Sequence, residues 1–88
     1  MREVINEEVS VVMSYSARKK QALPYLLNWQ NKDYYVGKIG YYHSYMEGQT
    51  RQHIFELVDK EESIWFRLRL DSGNLHWILE AVHDGLAG

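Results

Sequence analysis

The stretch that decides the fold is Ile64-Trp65-Phe66-Arg67-Leu68-Arg69-Leu70. Ile64, Phe66, Leu68 and Leu70 alternate with Trp65, Arg67 and Arg69, so a period of two separates an apolar row from an aromatic and cationic one. A β-strand sends successive side chains to opposite faces, whereas a helix would scatter both rows around its circumference. The pattern predicts a half-buried strand with the apolar row inward. Leu75-His76-Trp77-Ile78-Leu79-Glu80-Ala81-Val82 repeats it, with Leu75, Trp77, Leu79 and Ala81 expected inward. Between the two runs lies Asp71-Ser72-Gly73-Asn74, where Gly and Asn tolerate positive φ. Two alternating runs around a short turn predict an antiparallel hairpin.

Working outward, His53–Val58 reads as a strand with Phe55 and Leu57 on one face, followed by the charged turn Asp59-Lys60-Glu61-Glu62-Ser63. Tyr34 through Tyr45 is a long β-branched and aromatic stretch interrupted at Gly37 and Gly40. Glycines inside a strand pattern predict a bulge, a sharp bend or the close approach of another backbone. Leu23, Tyr25, Leu27 and Trp29 alternate as well, and Gln30-Asn31-Lys32-Asp33 turns the chain. Val9, Val11 and Val12 favour a strand by β-branched content, although Val4, Ile5, Val9 and Val12 would also share one helix face. Ser14–Gln21 then reads as a connecting loop. The sum is an all-β fold of about six antiparallel strands, forming a curled sheet or a small partly open barrel that hides its edges.

Composition bounds the rest. With 88 residues, 45% hydrophobic and 25% charged, the chain reads as one domain with a core over about 9–84 and frayed ends. There is no cysteine, so disulfides, thiolate metal sites and a cysteine nucleophile are excluded. No run of apolar residues is long enough for a membrane helix, and Met1–Glu8 lacks the apolar core of a signal peptide. The expected compartment is the cytoplasm. A net charge of −2 provides no overall attraction to nucleic acid or anionic lipid.

No residue pattern names a reaction. His43, His53, His76 and His83 form none of the i, i+2 or i, i+4 pairs that bring two imidazoles to one ion, so no metal is expected. Ser44 beside His43 is not a catalytic pair, because neighbours on a strand face opposite sides. Glu56, Asp59, Asp71 and Glu80 would need a shared cleft with split pKa values to act as acid and base, and a core this small does not build one easily. Neither an enzyme nor a cofactor is expected.

The segments Pro24-Tyr25-Leu26-Leu27-Asn28-Trp29, Tyr34-Tyr35-Val36 with Ile39, Phe55, Phe66-Arg67-Leu68 and Trp77 through Asp84 together carry a resemblance. The chain resembles a short bacterial domain of unknown function, whose pattern runs Pro, an apolar residue, Trp, a turn, then Tyr-x-Val. The match covers roughly Gln21 to Asp84. The resemblance extends to a segment appended to proteins related to translesion DNA polymerases. It implies a small β-fold and a link to DNA repair, and it names no active site. The family turn after the tryptophan usually holds Gly and Arg, whereas this chain has Gln30-Asn31-Lys32-Asp33 and so lacks that basic charge.

The outward row remains the feature of interest. Trp65, Arg67 and Arg69, with Tyr35, Tyr41 and Tyr42, form the candidate binding surface, extended by Tyr45 and the basic run Arg18-Lys19-Lys20. Tyr, Trp and Arg are the residues enriched at protein-interface hot spots. The expected function is a non-catalytic binding or accessory module acting through protein interaction or homodimerisation. The alternative partner is single-stranded nucleic acid, with bases stacked on Trp65 and phosphates held by the arginines. Without any ligand, Arg67 and Arg69 would instead pair with Glu56 or Glu80 across the sheet, or the N-terminal strand would fold over this face and cover it.

Overall fold

In a computed structural model that describes residues 2–84, six antiparallel strands follow one another around a ring. They are β1 (Arg2–Ser16), β2 (Gln21–Trp29), β3 (Lys32–Glu47), β4 (Thr50–Asp59), β5 (Ile64–Asp71) and β6 (His76–Asp84). The all-β expectation holds, and the N-terminal stretch is strand, not helix. β1 closes the ring by changing partner midway: Arg2–Val9 pairs with β6 and Ser10–Ser16 pairs with β2. Near that point Trp29 Nε1 donates to Glu7 Oε1 at 3.3 Å. Residues 2–8 are therefore paired strand and not a frayed end; the other expected frayed positions, 1 and 85–88, lie outside the described residues.

The inner cluster is Leu27, Phe55, Leu57, Phe66, Leu68, Trp77 and Leu79. Its centre is aromatic, with the Phe66 ring 5.1 Å from Tyr34 and 6.4 Å from Trp29. Ile64 and Leu70 pack against the same cluster, so the decisive run points as its alternation requires. β4 is buried on both faces: Ile54 and Val58 are 1% exposed although they point away from the inner cluster. Flanked by β3 and β5 across long side chains, β4 leaves only Thr50, Arg51, His53 and Glu56 partly or fully open to solvent.

Four inward or loop expectations are corrected, two of them by bulges. The expected loop Ser14–Gln21 shrinks at both ends, since Ser14–Ser16 continues β1 and Gln21 begins β2 opposite Ser16. Val12 pairs with Leu26 but Met13 pairs with Pro24, leaving Tyr25 as an extra residue that turns out to solvent. Arg67 pairs with Ala81 but Leu68 pairs with Leu79, so Glu80 is extra. Beyond it Ala81 shares the outer face with Arg67, and Val82 takes the inward place opposite Phe66. Because side chains alternate with a period of two, one inserted residue exchanges the faces of all that follow. Leu75 closes the β5–β6 turn with φ of 62° and stands exposed.

The glycine expectation holds twice over. Gly37 and Gly40 are the extra residues where the β3–β4 register shifts, and both meet close neighbours. The turns explain the register elsewhere. Gln30 and Asn31 both have positive φ and link β2 to β3 in two residues, the geometry that matches the twist of paired strands. Lys32 and Asp33 already belong to β3.

Asp59 organises the β4–β5 turn. Its carboxylate accepts hydrogen bonds from Ser63 N at 2.7 Å, Ser63 Oγ at 2.7 Å and Ile64 N at 3.3 Å. Burial opposes its ionisation, but these hydrogen bonds outweigh burial and hold the carboxyl below the usual aspartate range. A depressed folded pKa means stability that is complete above the unfolded value of about 3.9 and is lost as pH falls through the lower folded value. Asp59→Asn should therefore lower urea stability at neutral pH by about 1–3 kcal/mol. The gap from the parent should narrow on acidification below about pH 4. A gap that does not change with pH would remove the carboxylate from this account.

Candidate interaction surface

Cross-strand partners share a face, so the register assigns the outer surface row by row. One row runs Tyr41, Glu56, Arg67, Ala81 and the next His43, Ile54, Arg69, Ile78. A third runs Lys38, Val58, Trp65, His83. Trp65, Arg67, Arg69 and Tyr41 thus meet on one face as expected. Tyr35 lies on the same side of the sheet farther along β3, opposite Leu26, with its ring edge-on to Tyr25 at 5.8 Å. Tyr42 does not join them. It faces inward opposite Phe55, where its hydroxyl and His53 Nδ1 are hydrogen-bonded at 2.7 Å.

The two arginines are tied into a charged ladder. Arg67 Nη1 reaches Glu56 Oε2 at 2.6 Å, and its Nε donates to Glu80 Oε1 at 3.0 Å. Arg69 Nε donates to the other Glu80 oxygen at 2.8 Å, while its Nη1 donates to Gln52 Oε1 at 2.8 Å. Glu80 can serve both because the bulge sets it on the outer face without a residue opposite on β5. Burial would lower the affinity of Arg67 for its proton, but hydrogen bonds and charge from Glu80 and Glu56 raise it further above its ordinary value. Gln52 is itself buried and continues the network, since its side-chain hydrogen bond is the largest cause holding the Asp71 carboxyl below the usual range. Two cations are matched by two carboxylates.

Trp65 is half-buried and crosses β4 toward Gly40, where an added Cβ would lie 3.0 Å from the indole Cζ3 and Cη2. The aromatic surface that remains open lies on β3. Tyr41 is 48% and Tyr45 40% exposed, and the His43 ring sits between them at 5.2 and 6.0 Å. The N-terminal strand leaves this face uncovered, because it joins β6 edge to edge. Arg18-Lys19-Lys20 lies in the turn between β1 and β2, outside the rows that β3, β4, β5 and β6 form on this face.

A cavity of about 360 Å³ opens between Arg2, Trp65, Arg67, Ala81 and His83, with Glu56 at its wall. Glu56 is bound to Arg67 there, so the carboxylate is held by a partner. Among the described residues no three His, Asp or Glu side chains converge as a metal site, and no helix is long and apolar enough to cross a membrane. Sequence reasoning identified Glu56 and Glu80 as arginine partners from their alternation. It missed Gln52 and the place of His43, although both occupy outward positions of their strands. No family model, curated protein or solved structure matches this chain.

Proposed function

We propose that the protein is a non-catalytic, cytoplasmic interaction module that docks on a protein surface through the tyrosine-bearing outer face of β3. The observation that supports this most directly is the contrast along one face. Tyr35, Tyr41 and Tyr45 are open to solvent, while Arg67 and Arg69 are held by Glu56, Glu80 and Gln52. Exposed aromatics with compensated charge favour a desolvated protein contact. A phosphate backbone would have to compete with Glu80 for both guanidinium groups, and the net charge of −2 adds no attraction.

The test is size-exclusion chromatography with light scattering at low and high salt, with and without a labelled single-stranded oligonucleotide. The expected result is an association that ignores salt and oligonucleotide and weakens in Tyr41→Ala and Tyr45→Ala. Binding of the oligonucleotide that falls steeply with salt, and is lost in Arg67→Ala or Trp65→Ala, would overturn the reading. It would install the repair-linked nucleic-acid alternative in its place.

A further inference from the structure

β3 has two neighbours only at its start. Its ladder with β2 ends at Leu26–Tyr35, and from Val36 to Glu47 it pairs with β4 alone. The backbone of β1 stays away from this edge, with no Cα of β1 within 8 Å of a Cα of β3 among the described residues. An open edge carries a row of unpaired backbone donors and acceptors, and native proteins usually guard it with proline, inward charge or bulges. Here the bulges stand upstream at Gly37 and Gly40, and Tyr41-Tyr42-His43-Ser44-Tyr45 carries none of those guards.

We propose that this edge pairs antiparallel with β3 of a second copy of the chain, about a twofold axis at His43. The proposal rests on the interaction reading above and names its partner. Three observations point to the second copy. An antiparallel pair centred on His43 puts Tyr41 opposite Tyr45 and Tyr45 opposite Tyr41, with Tyr42 and Ser44 meeting on the other face. Outer residues therefore meet outer residues throughout, and aromatic pairs form at both ends of the segment. With Gly40 left unpaired as it is against β4, the same register carries Glu47 of each copy toward Lys38 of the other, so opposite charges flank the seam. Finally, His43 Nδ1 is buried and has no hydrogen-bond partner within the chain. Buried polar atoms are nearly always paired, and the twofold arrangement sets a second imidazole directly opposite.

Closed twofold pairing limits the assembly to a dimer, since the same edge is used up on both copies.

The chain has no cysteine, so His43→Cys introduces one thiol per copy. Directly opposed residues in an antiparallel pair have Cα atoms about 4.5–5.5 Å apart, within reach of a disulfide. Oxidation of His43→Cys is expected to give a covalent dimer, and oxidation of Glu61→Cys, on the exposed β4–β5 turn, is expected not to. Charge variants test the register with the parent histidine in place. Tyr41→Lys with Tyr45→Lys opposes like charges twice and should weaken dimerisation about ten-fold or more. Tyr41→Glu with Tyr45→Lys opposes unlike charges twice and should retain it. Circular dichroism on both double variants reports whether each is folded.

A dimer that survives Tyr41→Lys with Tyr45→Lys, or that leaves His43→Cys unlinked, would overturn the edge pairing while leaving self-association through another face intact. A parent protein that stays monomeric at submillimolar concentration would overturn the second copy as the occupant. The oligonucleotide experiment decides the broader reading separately.

Discussion

Phe66→Ala should remove about 3–5 kcal/mol of unfolding free energy, the usual cost of deleting a buried phenyl ring. Phe66 is 1% exposed and joins strands that are distant in sequence, packing edge-on against Tyr34 on β3 and Trp29 on β2. Truncation leaves a hole bounded by two rings and by β-sheet backbone that is held by its own ladders. Such walls collapse poorly, which places the cost toward the upper part of the range. A domain of this size has roughly 4–13 kcal/mol of stability in total, so the variant loses a large share of it. Urea denaturation should show a much lower midpoint with an unchanged slope. Phe66→Leu keeps most of the volume and should cost less than about 1.5 kcal/mol. A loss below about 1 kcal/mol for the alanine variant would contradict the packed three-ring centre.

Gly37→Ala carries the second large effect, and it acts by addition. A Cβ on Gly37 would lie 2.7 Å from the carbonyl oxygen of Asp59 and 3.0 Å from Lys60 Cα. Both are backbone atoms. Lys60 N is further held by Tyr35 O at 2.9 Å, and Asp59 is anchored by the Ser63 and Ile64 contacts, so the neighbour cannot swing aside. Replacing glycine by alanine stiffens the unfolded chain and would alone stabilise by about 0.4–1 kcal/mol. Overpacking against fixed backbone costs about 1–3 kcal/mol, and the clash is expected to win. Thermal unfolding of Gly37→Ala beside Gly40→Ala checks the mechanism. The Gly40 variant meets the edge of the Trp65 ring, a side chain that can turn, and should lose less. Equal or greater loss at Gly40 would mean that the Asp59 backbone yields.

These effects bear on how far the fold was legible. Period-two alternation carries the inner row of β5 and of early β6 because burial on one face selects residues at every second position. It also brings Glu56 and Glu80 to the arginines, since all four lie at outward positions of adjacent strands. Alternation has no means of showing an inserted residue unless that residue is glycine. Gly37 and Gly40 therefore announce their bulges, whereas Tyr25 and Glu80 do not. The hidden bulge at Glu80 is the one that matters for the surface, because it lets a single carboxylate bind two guanidinium groups. Burial of β4 on both sides was equally hidden. Ile54 and Val58 owe it to long side chains on neighbouring strands, and that is a property of pairing, not of the segment itself.

The exchange of partners along β1 bears on how the molecule opens. Every other ladder joins strands consecutive in sequence, but Arg2–Val9 meets β6 across nearly the whole chain. Closing that loop costs more chain entropy than closing any hairpin, and Asn6 adds a positive φ and a break in register within it. Amide protons of Arg2–Val9 and the facing edge of β6 should exchange with deuterium as one cooperative unit, well before those of β4 and β5. What such an opening leaves is a sheet rooted on β4 with a second bare margin along β6. The same seam that completes the ring is thus the place where protease and solvent first gain entry.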